Sequence, residues 1–177
     1  MKEVEIQRLD VKKRKLLIKC AELYCEIWKE RPWHEYFWTV KGVIEDIKKQ
    51  LKRPNAVGFV ALFGEEVIGF TWGYEVSKKN LREISGVKAL DILFKKGRVF
   101  YIDELGTSSS FRRRGVGKQL SKTLIATIRS RGIRCFTLRT DVKAIAARNL
   151  YAKLGFRDLS IQDAEHSKRT YWLLEFL

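Results

Sequence analysis

Residues 111–118 read Phe111-Arg112-Arg113-Arg114-Gly115-Val116-Gly117-Lys118. This basic turn follows a strand-like run, Val99 to Thr107, and opens a helix-like run, Gly117 to Arg131. Glycines allow the backbone to approach a ligand closely, and a helix N-terminus offers unpaired N–H groups with a partial positive charge. The arginine and lysine side chains add formal charge at the same place. The stretch therefore predicts a strand–turn–helix unit that binds a diphosphate group.

The composition indicates one globular domain over residues 1–177, because 45% of the residues are hydrophobic and 12% are aromatic. No apolar run approaches the ~18 residues that cross a membrane, and the start lacks the apolar region of a signal peptide. A cytoplasmic protein without a membrane partner is therefore expected. The three cysteines, Cys20, Cys25 and Cys135, have neither disulfide-framework nor metal-ligand spacing, which predicts buried free thiols.

The formal net charge is +15, from 36 Lys and Arg against 21 Asp and Glu. Such a balance favours polyanions, namely nucleic acid, an anionic membrane face or a phosphorylated cofactor, although solvated lysine-rich surfaces explain it equally well. The charge is spread along the chain, and no nucleic-acid-binding signature accompanies it. His34 and His166 are the two histidines, and no metal-ligand spacing is present, so no metal site is predicted.

Hydrophobic periodicity predicts alternating strands and helices. A first strand around Val4 and Ile6 precedes a helix over 11–29 and a helix that Thr39 caps. A hairpin follows, and residues 76–98 are expected to be irregular, with a short amphipathic piece. Further strands are predicted at 99–107, 135–138 and 170–176, and further helices at 117–131 and 144–154. This order predicts a mixed α/β sheet.

These segments resemble the GNAT N-acetyltransferase superfamily, which uses acetyl-coenzyme A. The run Arg112 to Gly117 fits the superfamily motif Arg/Gln-x-x-Gly-x-Gly/Ala, and Tyr101 to Thr107 looks like its central strand. Downstream, Ala147 to Tyr151 and Leu154 to Arg157 look like its second motif. The resemblance covers residues 99–157, with Ser109-Ser110 standing where many relatives have a proline-containing turn.

The resemblance implies a mostly antiparallel sheet flanked by helices, with a V-shaped opening between two central parallel strands. The pantetheine arm of coenzyme A would lie in that opening and the diphosphate on the basic turn. The 3′-phosphate carries about −1.5 to −2 charge, which suits the arginine cluster. The cofactor-binding residues implied are Leu105, Gly106, Thr107, Arg112, Arg113, Arg114, Gly115, Val116, Gly117, Lys118 and Asn149.

Acetyl transfer to an amine needs a neutral nucleophile, an oxyanion site and a proton for the departing thiolate. Deprotonating an alkyl amine of pKa about 10.4 costs about 4.6 kcal/mol at pH 7, so a carboxylate base is expected. Glu104 is the candidate base and Asp103 the alternative, and strand alternation places their side chains on opposite faces. The resemblance makes Tyr151 the general acid and a backbone N–H near Leu105 the oxyanion donor. The competing interpretations are an ion-paired Glu104 and a Tyr151 that packs against Leu154.

The acceptor site is expected beside the aromatic-rich connection Pro32 to Trp38 and the hairpin strand that contains Trp72. Aromatic and carboxylate groups suit a cationic or amphipathic amine, so Glu35 and Trp72 are the candidate acceptor-binding residues. Trp33 and Phe37 are expected to fill the core. A polycationic acceptor would need an acidic pocket, because the chain as a whole is positively charged.

The leading hypothesis is an N-acetyltransferase that moves the acetyl group of acetyl-CoA directly to a primary amine of a small molecule or a protein. Two alternatives stay open, a coenzyme A sensor without turnover and a basic nucleic-acid-binding module. Asn149 and Tyr151 favour the enzyme over the sensor. A homodimer is also open, because dimers are common among proteins of this resemblance.

Overall fold

The computed structural model describes residues 3–177, in which seven strands and five α-helices alternate along the chain. The strands are β1 (Val4–Arg8), β2 (Val57–Phe63), β3 (Glu66–Val76), β4 (Val99–Thr107), β5 (Cys135–Asp141), β6 (Arg157–Gln162) and β7 (Arg169–Glu175). The helices are α1 (Arg14–Lys29), α2 (Val40–Gln50), α3 (Lys78–Ser85), α4 (Val116–Arg129) and α5 (Ile145–Lys153). Two 3₁₀ segments cover Lys88–Lys96 and Ser109–Phe111.

The seven strands form one sheet in the order β1-β2-β3-β4-β5-β7-β6. Five neighbouring pairs are antiparallel and one pair, β4 with β5, is parallel. The connection between these two parallel strands carries α4, as a parallel crossover requires. The predicted fold class, a mixed and mostly antiparallel sheet flanked by helices, is therefore confirmed.

The two central parallel strands separate along their length. They pair at Val99 with Cys135, Phe100 with Phe136 and Tyr101 with Thr137, and at no later position along the two strands. Beyond that point β4 continues to Thr107 and β5 to Asp141. The V-shaped opening expected between these strands is confirmed, and it leaves one backbone edge of each strand free of the other.

The two faces of the sheet are covered by different helices. Helices α1 and α2 pack on one face, with Cys20 and Ile47 completely buried beneath them. Helix α4 packs on the other face, where Leu120 and Leu124 are also completely buried. As predicted, Thr39 caps α2, because its hydroxyl accepts a hydrogen bond from the Gly42 N–H at 3.1 Å.

Three sequence expectations for the fold need correction. Residues 78–85 form α3, whose eight residues bury only Leu81 and Ser85, so the segment gives little helical periodicity. Strand β6 was missed because it is a half-exposed edge strand without clear alternation. Phe37 was expected in the core, yet it is 70% exposed. The three cysteines are buried free thiols, as predicted.

Candidate active site

A β-bulge in β4 places Asp103 and Glu104 side by side. Across the ladder, Trp72 pairs with Glu104 and Gly73 with Ile102, so Asp103 is the extra residue. A bulge shifts the alternation of side chains by one residue, and here both carboxylates line the same cleft. The expectation that the two side chains lie on opposite faces was therefore wrong.

Gly73 makes room for this bulge on the neighbouring strand. A Cβ atom on this residue would lie 2.3 Å from the Tyr101 carbonyl oxygen and 2.6 Å from the Phe100 ring. Both distances are shorter than any ordinary carbon contact, and one of the obstacles is backbone that cannot swing away. The sequence therefore accommodates the bulge with a residue that has no side chain.

The cleft beside the bulge, called here the acidic cleft, has a volume of about 400 Å³. Its walls come from α1, α2, α3, β3, β4, β5, the connection between the first two helices and the residues at the start of β7. It contains four carboxylates, of Glu35, Asp46, Asp103 and Glu104. Six aromatic side chains also line it: Tyr24, Trp28, Trp33, Phe37, Trp38 and Tyr74. A binding cleft of this kind combines apolar walls with a few converging polar groups.

Two tyrosines hold the carboxylates of the bulge. The Tyr24 hydroxyl donates to Glu104 Oε1 at 3.0 Å, and the Tyr74 hydroxyl donates to Asp103 Oδ2 at 3.1 Å. Burial raises the pKa of Glu104 well above its ordinary value, and the neighbouring charge of Asp103 raises it further. Burial also raises the pKa of Asp103, although the hydrogen bond from Tyr74 opposes the change. The pair is therefore more basic than two exposed carboxylates.

The raised pKa of Asp103 predicts a pH-dependent cost to stability. Because the folded-state pKa lies above the unfolded value near 4, stability contributed by the protonated group is lost as pH rises from about 4 through the folded-state pKa. We expect Asp103→Asn, which can still accept from Tyr74, to be more stable than wild type at pH 7.5 by about 1 kcal/mol. The advantage should shrink toward pH 4, as measured by urea unfolding at both pH values. Glu22→Gln, an exposed carboxylate on α1, is the control. A variant that is less stable at pH 7.5 would contradict this account.

Of the two predicted acceptor-binding residues, Glu35 lines the acidic cleft and Trp72 does not. Glu35 lies in the acidic cleft, where it accepts from Trp38 Nε1 at 2.7 Å and from the Arg169 guanidinium at 2.9 Å. Trp72 is only 1% exposed and does not line the cleft. Its indole N–H donates instead to the side-chain oxygen of Gln50, so any influence on the cleft is indirect.

Sequence reasoning missed several residues of the acidic cleft. Asp46 and Gln50 lie one turn apart on α2, and Gln50 Nε2 donates to Asp46 Oδ2 at 2.7 Å. Two polar residues spaced by four on a helix with a buried face were the available signal. Tyr24 gave none, because it lies within the apolar stripe of α1 and reads as a core residue.

The basic turn opens α4 as the sequence predicts. Gly115 immediately precedes the helix with φ of +82°, a left-handed conformation that glycine adopts without strain. Among residues 3–177, the first backbone hydrogen bond that reaches back into the turn runs from the Gln119 N–H to the Gly115 carbonyl. The preceding N–H groups of the first turn are left available to a ligand. No acidic residue occupies that first turn.

The arginines of the basic turn are exposed, and two of them are held in place. Arg112 forms an ion pair with Glu30 at 2.5 Å, and the Arg114 guanidinium lies 5.2 Å from the centre of the Phe111 ring. The exposed Lys118 follows on the first turn of α4. These cations surround the same helix N-terminus, so the site presents both backbone donors and positive charge to an anion.

The remaining predicted residues lie at the opening between β4 and β5. Leu105, Gly106 and Thr107 form the end of β4 that β5 does not pair, and Asn149 is exposed on α5. Tyr151 belongs to the core cluster beneath α4, on the face of the sheet opposite to α1 and α2. Burial raises the pKa of the Tyr151 hydroxyl, and the charge of Glu104 raises it further.

Tyr151 packs between two aromatic side chains. Its ring centre lies 5.9 Å from that of Phe156 and 6.2 Å from that of Trp172. Among residues 3–177, the one buried side-chain polar atom without a hydrogen-bond partner is the indole N–H of this same Trp172. This unpaired indole N–H lies in the same aromatic cluster as Tyr151.

Comparison with known proteins identifies the family. The acetyltransferase (GNAT) family model matches residues 18–156, and the chain belongs to this family of acyltransferases. N-acetyltransferase 8 from Homo sapiens is 28% identical over 145 residues, which make up 80% of this chain and 58% of that protein. The chain thus spans less than two thirds of the length of that relative.

Solved structures show the same fold. The protein PH1933 from Pyrococcus horikoshii OT3 matches with a TM-score of 0.73 at 18% identity, covering 99% of both chains. The PaiA N-acetyltransferase from Thermoplasma acidophilum, solved in complex with coenzyme A, matches with a TM-score of 0.68 at 12% identity. That match covers 98% of this chain and 99% of the other. Within residues 3–177, no helix is long and apolar enough to cross a membrane.

Proposed function

We propose that the protein is an N-acetyltransferase that moves the acetyl group of acetyl-CoA directly to a primary amine. The observation that carries the proposal is the β-bulge at Asp103 and Glu104. It directs both carboxylates into the acidic cleft, next to the point where β4 separates from β5. The opening between β4 and β5 would admit the acetyl donor, and the acidic cleft would admit the amine. Family membership supports the reaction class.

The residues at the start of α4 fit coenzyme A. Its diphosphate would be bound by the N–H groups of the first turn of α4, and its 3′-phosphate by the exposed arginines of the basic turn. Gly117 has no side chain to cover these N–H groups. A Cβ atom there would already lie 3.2 Å from Leu150 Cδ2 and 3.5 Å from Thr107 Oγ1. The free edge of β4 and Asn149 would bind the pantetheine arm. When bound, acetyl-CoA supplies an acetyl group activated as a thioester.

Glu104 is the proposed general base. Its carboxylate would take one proton from the ammonium group of the acceptor and pass it to solvent, leaving the lone pair of the nitrogen free to form the new C–N bond. The raised pKa of Glu104 helps, because it narrows the gap to the amine pKa of about 10.4. The carboxylate of Asp103 raises that pKa further and so assists the same step.

Tyr151 is the proposed general acid. As the C–S bond breaks, its hydroxyl would give a proton to the departing sulfur, and the second proton lost by the nitrogen would restore the hydroxyl. Burial raises the pKa of this tyrosine, which keeps the hydroxyl protonated until a basic thiolate develops beside it. A backbone N–H near Leu105 would stabilise the oxyanion.

Ligand-induced stabilisation tests this function first. We expect acetyl-CoA and coenzyme A, at ~1,000 times their dissociation constants, to stabilise the protein by about 4 kcal/mol in thermal unfolding. The effect should persist at moderate salt, and amine-dependent release of free thiol from acetyl-CoA should accompany it. A salt-sensitive shift with a DNA duplex, and none with coenzyme A, would favour a nucleic-acid-binding module. A coenzyme A shift without thiol release on any amine would favour a sensor.

A further inference from the structure

We infer that the acidic cleft selects a small aliphatic diamine, with one ammonium group at Glu104 and Asp103 and the second at Asp46. This inference rests on the proposed function, because it names the acceptor class of the same cleft. A polycationic acceptor of a basic protein needs an acidic pocket, and the acidic cleft with its four carboxylates is such a pocket.

The charges of the cleft are unbalanced. Among its four carboxylates only Glu35 forms an ion pair, with Arg169 at 2.9 Å. The other lining arginine, Arg139, is paired with Asp163 at 2.5 Å, and His166 lies exposed at the edge. Within the part of the chain that the structure describes, Asp46, Asp103 and Glu104 have no ion-pair partner. More distant cations compensate them only in part: the charges of Lys49 and Arg53 oppose the rise in the pKa of Asp46 that burial causes, and Arg53 and Arg139 do the same at Asp103, yet both pKa values stay raised. A cationic ligand would supply the missing charges.

The second acidic position is held in a fixed orientation. Gln50 Nε2 donates to Asp46 Oδ2 at 2.7 Å, and the opposite end of the same amide accepts from the buried Trp72 indole. This chain of hydrogen bonds fixes the amide, which in turn aims the carboxylate of Asp46 from α2. The carboxylates of the bulge come from β4, so the negative charges stand on two different walls. Trp72 is thus a positioning residue that acts through Gln50 rather than a wall of the cleft.

Aromatic side chains line the same cleft as the acidic positions. Tyr24, Trp28 and Trp38 form an edge-to-face cluster, with Tyr24 centred 5.3 Å from each indole. Aromatic faces attract both CH₂ groups and ammonium ions. The Glu35–Arg169 pair joins the connection before α2 to the start of β7, and both residues line the cleft of about 400 Å³. A small diamine therefore fits better than a polypeptide.

The test compares 1,4-diaminobutane with butylamine, which has the same chain and one ammonium fewer. Both are titrated calorimetrically into the wild-type protein, with and without coenzyme A, at about 0.15 M salt. We expect the diamine to bind at least about tenfold more tightly. Overall charge repels a dication more than a monocation, so it cannot produce this preference. Asp46→Asn should reduce the ratio to about one, whereas Glu45→Gln, an exposed carboxylate on the same helix, should leave it unchanged.

Equal affinity for the two amines in the wild-type protein would overturn the inference, whatever the variants do. A ratio that survives Asp46→Asn would also overturn it, as would tighter binding of a blocked Lys-Lys dipeptide, which presents two ammonium groups on a peptide. Thiol release is measured separately. A preferred diamine that is not acetylated would contradict the proposed function and leave this inference standing. Equal acetylation of both amines at equal affinity would contradict this inference and leave the proposed function standing.

Discussion

Replacing Glu104 with glutamine should lower kcat about 10²–10⁴-fold while the affinity for coenzyme A stays unchanged. Glutamine keeps the shape of the side chain and can still accept the hydrogen bond that Tyr24 donates at 3.0 Å. It cannot accept a proton from the acceptor ammonium group. The change therefore removes the base without removing its support in the bulge.

The pH dependence of this variant gives a second measurement. The wild-type rate should rise with pH through the raised pKa of Glu104, because only the deprotonated carboxylate acts as a base. In Glu104→Gln that part of the profile should be absent. Glu26→Gln, an exposed carboxylate on α1, is the matched control and should retain wild-type kinetics. A Glu104→Gln enzyme with wild-type kcat would remove Glu104 from the chemistry and point to solvent or Asp103 as the base.

Gly117→Trp should weaken coenzyme A binding at least about 100-fold. A Cβ atom at this position meets only the flexible end of Leu150 and the Thr107 hydroxyl, so the indole must extend over the first turn of α4. There it would cover the N–H groups that the diphosphate needs. Loss of two hydrogen bonds to a charged group, at about 1.5–3 kcal/mol each, gives an effect of this size.

The fold should survive this substitution, because tryptophan is a better helix former than glycine. Titration of coenzyme A and thermal unfolding of the free protein measure the two effects separately. Ala126→Trp adds the same ring to the exposed side of the same helix, nine residues further on, and should bind coenzyme A normally. Undiminished affinity in a folded Gly117→Trp protein would place the diphosphate elsewhere.

Much of the fold could be predicted from local sequence. The glycine-containing basic turn, the hydrophobic β4 and the apolar stripe of α4 each carry their own signal within a few residues. Thr39 was recognisable as a helix cap because its preference arises from a hydrogen bond three residues away. By contrast, α3 and β6 are short and polar and bury few residues, so hydrophobic periodicity does not mark them.

The candidate site was only partly predictable. Glu104 and Glu35 were found as carboxylates near the expected opening. Asp46 and Tyr24 were not. The spacing of Asp46 and Gln50 on α2 marks a polar pair but does not say which strand it faces, and Tyr24 lies within the apolar stripe of α1, so neither indicates contact with a strand more than fifty positions away. The sequence predicts Trp72 as an acceptor-binding residue, whereas its ring is buried and its indole N–H donates to Gln50.

The sequence by itself determined the family, the order of elements and the basic turn at the start of α4, because motifs and periodicity are properties of neighbouring residues. Only the tertiary structure decided that Asp103 and Glu104 share one cleft. Simple alternation along β4 separates them, and the bulge that reunites them depends on Gly73 of another strand. The acidity of the cleft was decided in the same way. A chain with a net charge of +15 concentrates four carboxylates there only because α2, β4 and the connection before α2 meet in space.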